Sequence, residues 1–194
     1  MSDPDAFEGV TPVDKLFTYH IFGTPRYLEV WRRDPATYRL SVGGLVERPG
    51  PVSLSDLKSN FEPVLAEMVI QCVTNVHWGR LSMRGARLLD VLESAGIREE
   101  AWKLAFHAAD GYTTGLRLDE VRERPNSFLL AYEMNGEPMP PDHGFPVRLA
   151  SDGKYGFKWP KWLVGIEAAD YDFKGHYEGK RGWSDEGARG RPVT

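Results

Sequence analysis

Cys72 could carry the most specific chemistry in this chain, because it is the only cysteine. It follows the apolar run Met68-Val69-Ile70-Gln71 and precedes a polar stretch that contains Asn75 and His77. A single thiol cannot close an internal disulfide, build a four-sulfur zinc site or ligate an iron–sulfur cluster. Three interpretations of Cys72 remain from the residues alone. It could be a small core residue, a nucleophile assisted by His77 or His107, or one thiolate ligand to a metal held mostly by another group.

A positively charged segment, residues 148–161, reads RLASDGKYGFKWPK. It carries four cations and one acid in a protein whose net charge is −4. Gly153 and Gly156 let the backbone approach a ligand closely, and aromatic residues alternate with the charges. Such a segment suits an anionic, phosphate-bearing ligand with a planar part. The alternative is a solvated turn with ordinary surface lysines, which is what most charge runs are.

Two further segments place polar groups near the ends of predicted strands. His143 and Arg148 flank Pro146, which holds the chain extended, so both side chains could face one ligand. Tyr112 follows the turn Asp110-Gly111, and its hydroxyl could donate a proton or a hydrogen bond. Taken singly, a surface histidine and a core tyrosine are the simpler interpretations.

The composition indicates one globular domain with a substantial core, since the chain has 194 residues and 41% of them are hydrophobic. The net charge of −4 argues against binding to nucleic acid. No apolar run reaches the roughly 18 residues of a membrane span. The N-terminus lacks a secretory or twin-arginine pattern, which predicts a cytoplasmic location. The histidines show no i, i+4 pair or HExxH, and no CxxCH is present, so neither zinc nor attached haem is expected.

Hydrophobic periodicity and turn residues predict a β-rich α+β domain with short helices. We expect an irregular arm over 1–16, the domain over 17–183 and a polar, loosely ordered tail over 184–194. The near-continuous apolar run at 64–73 predicts a buried strand that carries Cys72 close to its end. The remaining predictions are a chain break at 49–51, a helix capped by Ser53 with Asp56, a helix over 88–92 that ends at Gly96, strands over 37–46, 102–108, 113–118, 127–134, 146–150 and 162–168, and a tight turn at Asn135-Gly136.

Taken in order, these segments resemble the molybdopterin-binding domain of the sulfite oxidase family over residues 17–183. The most specific part is AYEMNGEP at 131–138, followed by DHGFPVR at 142–148 and Lys161-Trp162-Leu163. Gln71-Cys72 with Asn75 resembles the segment around the family's molybdenum-ligating cysteine. Asp110-Gly111-Tyr112 resembles its active-site tyrosine segment, and the run at 154–158 is similar to the periplasmic methionine sulfoxide reductase branch.

The resemblance implies a sulfite-oxidase-type fold and a molybdenum–molybdopterin cofactor, without haem, iron–sulfur cluster or zinc. Cys72 would be the metal ligand, and Tyr112 would assist proton movement beside it. Arg148 and Lys161 would bind the terminal phosphate of the cofactor. The metal would cycle between oxidation states VI and IV while one oxygen atom passes to or from the substrate. The other cofactor-binding residues that the resemblance implies are Tyr19, His20, Asn75, His143, Gly156, Phe157 and Lys158.

Two positions depart from the sulfite oxidase pattern and change the expected substrate. Sulfite oxidases carry arginine where this chain has Thr18-Tyr19-His20 and Val76-His77-Trp78. Sulfite is a dianion near neutral pH and needs such cations. A pocket formed by His77, Trp78 and Tyr19, with Asp110 nearby, would be aromatic and mildly polar, which favours a neutral S- or N-oxide.

We therefore expect an oxidoreductase that transfers an oxygen atom to or from a small molecule. The short chain predicts a separate electron-transfer partner and a monomer. The first alternative is a pterin-binding or cofactor-free member of the same fold without catalysis. The second is a thiol-dependent enzyme that uses Cys72 with a histidine, which would be active without molybdenum.

Overall fold

Two five-stranded sheets form the frame of the protein in the computed structural model, which describes residues 9–194. In chain order the strands are β1 (Arg39–Gly44), β2 (Gly50–Ser53), β3 (Pro63–Gln71), β4 (Trp78–Arg87), β5 (Lys103–Ala108), β6 (Thr113–Arg117), β7 (Phe128–Met134), β8 (Glu137–Pro138), β9 (Arg148–Ser151) and β10 (Leu163–Ala169). The helices are α1 (Leu28–Arg33), α2 (Leu54–Ser59), α3 (Leu88–Ser94), α4 (Leu118–Glu123) and α5 (His176–Arg181). The predicted β-rich α+β class with short helices is confirmed.

The first sheet has the order β2-β1-β10-β5-β6, and the second has the order β3-β4-β7-β8 with β9 also paired to β7. Only the β1–β10 pair is parallel among the pairs of named strands in the described chain. Since β1 and β10 lie far apart in the sequence, their pairing joins the N-terminal and C-terminal halves of the domain in one sheet.

β7 is buried on both faces, so its sheet borders two apolar clusters. Leu130 points into the main core, which also contains Phe106 of β5 and Ile166 of β10, whereas Leu129 points into a second cluster with Met83. Successive side chains of a strand face opposite sides, so a strand that is buried on both faces has a continuous apolar sequence. The second cluster also contains Trp159, and its outer edge becomes a wall of the cavity described below.

Most of the predicted elements are present, and two local predictions are confirmed in atomic detail. Ser53 accepts a hydrogen bond from the backbone of Asp56 while the Asp56 carboxylate accepts from Ser53, which is a complete capping box at α2. Asn135 and Gly136 have φ values of 55° and 85°, as a turn of the primed type requires.

β4 is the longest of three strands that the sequence analysis missed, the others being the short β2 and β8. Its residues alternate between buried and less buried positions, with Leu81 and Met83 inward. Two glycines and three arginines obscure this alternation, because these residues weaken the usual composition of a strand. The break predicted at 49–51 is also only partly correct, since β2 begins at Gly50 and accommodates Pro51 at the edge of its sheet.

Both ends of the described chain pack against the domain. The predicted arm lies partly outside the described residues, but Thr11 donates its backbone N–H to the Arg80 carbonyl at 2.8 Å. In the tail, Arg189 N–H donates to the Gly153 carbonyl at 2.8 Å, and Tyr155 N–H donates to the Gly187 carbonyl at 2.9 Å. These backbone hydrogen bonds dock part of the tail onto the segment that follows β9, and the looseness of the tail stays a prediction. The division into arm, domain and tail stays a prediction.

No helix within residues 9–194 is long and apolar enough to cross a membrane.

Candidate functional site

One cavity of about 430 Å³ brings together most of the predicted site residues. Its walls come from the N-terminal segment, the loop after β3, the turn before β6, the segments on both sides of β9 and the C-terminal segment. The sequence-predicted residues that line it are Tyr19, Cys72, Asp110, Tyr112, His143, Arg148, Gly156, Phe157 and Lys161.

Cys72 lies in the loop that joins β3 to β4, half-buried and with a free thiol. Its backbone N–H donates to the His77 carbonyl at 2.8 Å, and its carbonyl accepts from Asn75 N–H at 2.9 Å. Asn75 adopts a left-handed backbone with φ 59°, and its side chain accepts from Gln71 at 2.9 Å. The loop is thus tied closed from within, and it presents the thiol to the cavity. We call this region the thiol end.

The location of the histidines bears on the interpretation of Cys72 as an enzyme nucleophile. His107 lies on β5, where its ring packs against Phe173 and its Nε2 is 3.9 Å from a Glu167 carboxylate oxygen. His77 is exposed, and its Nδ1 lies 3.2 Å from the Tyr19 hydroxyl. Neither histidine lines the cavity that contains the thiol.

Arg148 is a buried cation without an acidic partner among residues 9–194. It is 3% exposed, and its guanidinium donates to the carbonyls of His143 at 3.0 Å and Trp159 at 2.9 Å. Its buried Nε has no hydrogen-bond partner. Burial lowers the pKa of Arg148 to about 9. A buried charge that lacks a counterion is costly, so this position favours the arrival of an anion.

Lys161 lies beside Arg148 and adds a second cation, and His143 lies next to both. We call Arg148, Lys161 and His143 the cation end. Lys161 donates to the carbonyls of Tyr19 at 2.9 Å and Asp142 at 3.0 Å. Burial, and then the charge of Arg148, lower the pKa of Lys161 to about 7. Burial and the same two cations lower the pKa of His143 to about 4, which leaves it neutral at pH 7. The cation end can therefore bind a phosphate or another compact anion.

Gly144 allows the cation end to be this compact. Its φ is 119°, and a Cβ there would come within 2.9 Å of Arg148 Cβ and 3.1 Å of Lys161 Cα. Any other residue at 144 would push the two cation-bearing segments apart.

The structure directs the other two lysines of the basic segment away from the cavity. Lys158 is fully buried and its Nζ lies 2.5 Å from Glu178 Oε1, while it also donates to the Gly115 carbonyl at 2.8 Å. Lys154 Nζ lies 2.5 Å from Glu120 Oε1. The solvated-turn interpretation of the segment is wrong, because these lysines are buried. Lys158 is also poorly placed to bind a phosphate in the cavity, since its charge is already paired.

Tyr112 and Asp110 occupy the turn before β6. The Tyr112 hydroxyl donates to the Phe157 carbonyl at 2.6 Å, and burial raises its pKa above the usual value of 10.0. Asp110 accepts from the Tyr112 backbone N–H at 3.0 Å, and burial raises the pKa of its carboxyl. Tyr112 is thus held rigidly in the cavity wall through a hydrogen bond to backbone.

Five predicted site residues do not line the cavity: His20, Asn75, His77, Trp78 and Lys158. His20 lies outside it, with its Nε2 3.3 Å from the Asp142 carbonyl and its ring 5.4 Å from that of Trp162. Asn75 stabilises the thiol loop through hydrogen bonds to Cys72 and Gln71. His77 packs on Phe17 and Tyr19, which are themselves wall residues. Trp78 is the first residue of β4.

Sequence reasoning missed the contribution of the C-terminal segment to the site. Tyr177 on α5 and Trp183 just after it both line the cavity. The available signal was two aromatic residues six positions apart in a glycine-containing, polar segment. Two residues are too few to define a helical or strand periodicity, so only the folded chain shows that the two rings lie together.

The chain matches a family model described as the oxidoreductase molybdopterin binding domain over residues 27–177. It is 40% identical over 147 residues to the uncharacterized oxidoreductase YuiH of Bacillus subtilis (strain 168), covering 75% of this chain and 72% of that protein. It is also 35% identical over 187 residues to mitochondrial sulfite oxidase of Rattus norvegicus, covering 81% of this chain and 34% of the relative. This chain therefore spans about a third of the length of that enzyme.

Two further comparisons extend the range of relatives. Nitrate reductase [NAD(P)H] of Hordeum vulgare is 30% identical over 206 residues, which cover 88% of this chain and 23% of that protein. Among solved structures, the sulfane dehydrogenase SoxCD from Paracoccus pantotrophus superposes with a TM-score of 0.75 at 24% identity, covering 89% of this chain and 47% of the other. The structural match supports the same fold.

Proposed function

Because this chain belongs to the oxidoreductase molybdopterin-binding domain family, we propose that Cys72 is its thiolate ligand to molybdenum and that it transfers an oxygen atom to or from a neutral S- or N-oxide. One observation carries this proposal. A single cavity holds the only thiol of the protein and, at its cation end, a buried arginine with no acidic partner in the described chain.

The residues of the cavity fit molybdenum–molybdopterin. The unpaired Nε of Arg148 and the cations around it suit the terminal phosphate of that cofactor. The thiol end offers one soft sulfur donor, and thiolate is a ligand that soft metal centres prefer. When bound, the cofactor supplies two-electron redox chemistry and the atom that exchanges oxygen with the substrate.

The residues of this chain would hold and orient the reactants. Arg148, Lys161 and neutral His143 would bind the phosphate and the adjoining polar groups. The hydrogen bonds of Asn75 would fix the thiol loop, so that Cys72 is positioned before the cofactor arrives. Tyr112 would form part of the wall beside the reacting centre. A separate redox protein would deliver or accept the electrons.

A neutral oxide fits this cavity better than sulfite does. Among the described residues that line it, the lysine and arginine charges come from Arg148 and Lys161, both at the cation end. If the phosphate of the cofactor occupies them, no lysine or arginine among the described lining residues is left for sulfite. A dianion in such surroundings would lose hydration without gaining compensating contacts.

The test is elemental analysis for molybdenum and assay of released pterin, on protein purified from a host that makes the cofactor. We expect about one molybdenum per chain in the wild type, and reduction of S- or N-oxides but little oxidation of sulfite. Cys72→Ser should lose activity while its thermal unfolding stays close to that of the wild type, because a hydroxyl is nearly isosteric but is a harder ligand. Full activity in this variant would refute the ligand assignment.

Val76→Ala is a matched control for Cys72→Ser. Val76 lies in the same loop, is 66% exposed and does not line the cavity. We expect its molybdenum content and activity to remain at the wild-type level. Efficient turnover of sulfite together with no reduction of any S- or N-oxide would refute the substrate assignment.

A further inference from the structure

The C-terminal segment and the turn after β9 build an aromatic surface in the cavity. The rings of Tyr177 and Trp183 are stacked, with centroids 4.1 Å apart and an interplanar angle of 7°. Phe157 meets both rings edge-on, 5.1 Å from Trp183 and 6.1 Å from Tyr177. All three line the cavity. We call Phe157, Tyr177 and Trp183 the aromatic wall.

The aromatic wall belongs to the thiol end of the cavity. The backbone of Tyr155 forms a bridge with that of Gln71, which directly precedes Cys72. A Cβ on Gly156 would lie 3.5 Å from the Gln71 carbonyl oxygen, so the turn that carries Phe157 runs beside the thiol loop.

We expect the reaction to take place at the thiol end and the phosphate of the cofactor to bind at the cation end. At the cation end, where a phosphate is expected, Arg148 and Lys161 bring two cations together through hydrogen bonds to backbone carbonyls. A substrate that reacts near Cys72 would lie at the thiol end, beside the turn that carries Phe157 of the aromatic wall. Stacked and edge-on rings offer a flat apolar surface that favours contact with another flat or apolar group.

We propose that the aromatic wall determines substrate specificity, and that it selects S-oxides that carry an aromatic or extended apolar substituent. This inference rests on the proposed function and refines it. In the reaction, the S–O bond breaks, the sulfur takes up two electrons from a reduced redox partner, and the oxygen leaves as water with two protons. Only the S–O group has to reach the reacting centre, so the substituents of the sulfur are free to contact the wall.

Buried ion pairs hold the aromatic wall in one position. Lys158 follows Phe157 and Glu178 follows Tyr177, and their charged atoms lie 2.5 Å apart with both side chains fully buried. Thr114 donates to the same carboxylate at 2.7 Å. Asp185, two residues after Trp183, pairs with the buried ammonium of Lys103. Because each ring is adjacent or close to an ion-paired residue, the surface is fixed before a substrate binds.

Gly187 closes this arrangement from the tail side. Its φ is 58°, and a Cβ there would come 2.8 Å from the Phe157 ring and 2.8 Å from Lys158 Cγ. The tail can pass directly over the turn only because residue 187 has no side chain. The tail therefore covers Phe157 on the side of Gly187, and Phe157 also lines the cavity.

The test compares methyl phenyl sulfoxide with dimethyl sulfoxide, using reduced viologen as the electron donor and the molybdenum-containing enzyme. We expect the wild type to prefer the aryl substrate, and Trp183→Ala to raise its KM about tenfold with little change in kcat. The dimethyl sulfoxide kinetics should change less than about twofold. Trp183→Phe should restore most of the preference, whereas Trp102→Ala, at a partly exposed tryptophan outside the cavity, should behave as the wild type.

A binding measurement gives a readout that does not need turnover. Methyl phenyl sulfone and dimethyl sulfone carry the same substituents, and their binding to the enzyme can be compared by calorimetric titration. The aryl sulfone should bind more tightly to the wild type, and Trp183→Ala should lose that difference. If this variant does not fold, Trp183→Leu takes its place, since leucine keeps apolar volume but has no aromatic face.

Three results would overturn the proposed role of the wall. They are equal losses for both sulfoxides, an unchanged preference in the variants, and loss of pterin in Trp183→Ala, which would show that the wall holds the cofactor. Failure of the proposed function looks different. A molybdenum-containing wild type that reduces no S- or N-oxide would refute that function, while the sulfone preference would still report on the wall.

Discussion

The basic segment at 148–161 contains four cations in two contrasting environments. Arg148 and Lys161 lie at the cation end of the cavity and donate only to backbone carbonyls among the described residues. Lys154 and Lys158 are equally part of this run, but each lies 2.5 Å from a glutamate oxygen in the interior of the fold. The same local sequence thus supplies both cations of the candidate ligand site and structural ion pairs.

The partner of a buried cation decides whether that cation stabilises the fold or can bind an anionic ligand. A lysine that is paired with a buried carboxylate holds two elements together, and removing either partner leaves an uncompensated charge. A cation with carbonyl partners alone has residual positive potential, which an anionic ligand can neutralise. Substitution of Arg148 and Lys161 should therefore reduce mainly the retention of the cofactor. Substitution of Lys154 and Lys158 should reduce mainly the stability of the fold.

The largest effect is expected for Arg148→Ala combined with Lys161→Ala. Two hydrogen bonds to charged groups are lost, each worth about 1.5–3 kcal/mol, so the affinity for the cofactor should fall on the order of 100-fold or more. The measurement is the amount of pterin released per chain on denaturation. Arg32→Ala with Arg48→Ala, at two exposed cations, is the control and should retain full pterin content. Unchanged pterin in the first variant would place the phosphate elsewhere.

Lys158→Met should have the largest effect on stability. It leaves the Glu178 carboxylate buried without its cation, which costs about 3–5 kcal/mol of unfolding free energy. Urea unfolding of the variant measures this loss. Adding Glu178→Leu should recover much of it, since both charges are then gone. A Lys158→Met variant that is as stable as the wild type would contradict a structural role for this pair.

The pH dependence of anion binding should report on Lys161. Burial and the charge of Arg148 lower the pKa of Lys161 to about 7, so its ammonium is lost as the pH rises through that value. Sulfate keeps a constant charge in this range, and its affinity for the cofactor-free protein should fall up to about tenfold between roughly pH 6 and 8.5. Lys161→Arg should remove this dependence, because arginine stays charged. An equally steep decline in Lys161→Arg would assign the titration to another group.

The same pKa shift has a consequence for stability without cofactor. The pKa of Lys161 is about 7 in the folded state, below the ordinary value of 10.5. Between these values the unfolded chain binds more protons than the folded chain, so this residue makes stability increase as the pH rises through the window. Lys161→Met should flatten that increase in unfolding experiments, whereas Lys15→Met, at an exposed lysine, should not.

The smallest effect is expected for Lys154→Met. Glu120, its partner, keeps 21% side-chain exposure and has Arg124 at 3.8 Å, so water and a second cation can compensate the carboxylate. We expect a loss of about 1–2 kcal/mol, well below that for Lys158→Met. Pterin content per folded chain should be unchanged. A loss of pterin would show that Lys154 also contributes to the cation end.

How much the sequence predicts depends on whether the signal is local. The capping box at Ser53 and the primed turn at Asn135-Gly136 were predictable, because each depends on neighbouring residues and on backbone preferences. β4 was not, since its arginines and glycines are tolerated only where Leu81 and Met83 face the second cluster. Tyr177 and Trp183 were not predictable as wall residues, because long-range ion pairs place them.

By itself, the sequence determined the family resemblance, the fold class and the presence of one thiol with a basic segment, because these properties reside in residue types and their order. Only the tertiary structure decided which cations face the cavity. Glu120 and Glu178 are distant from the lysines in sequence, and whether they neutralise them depends on how α4 and α5 pack. A charge becomes a ligand or a structural partner according to what lies a few ångströms away, and that is a property of the folded chain.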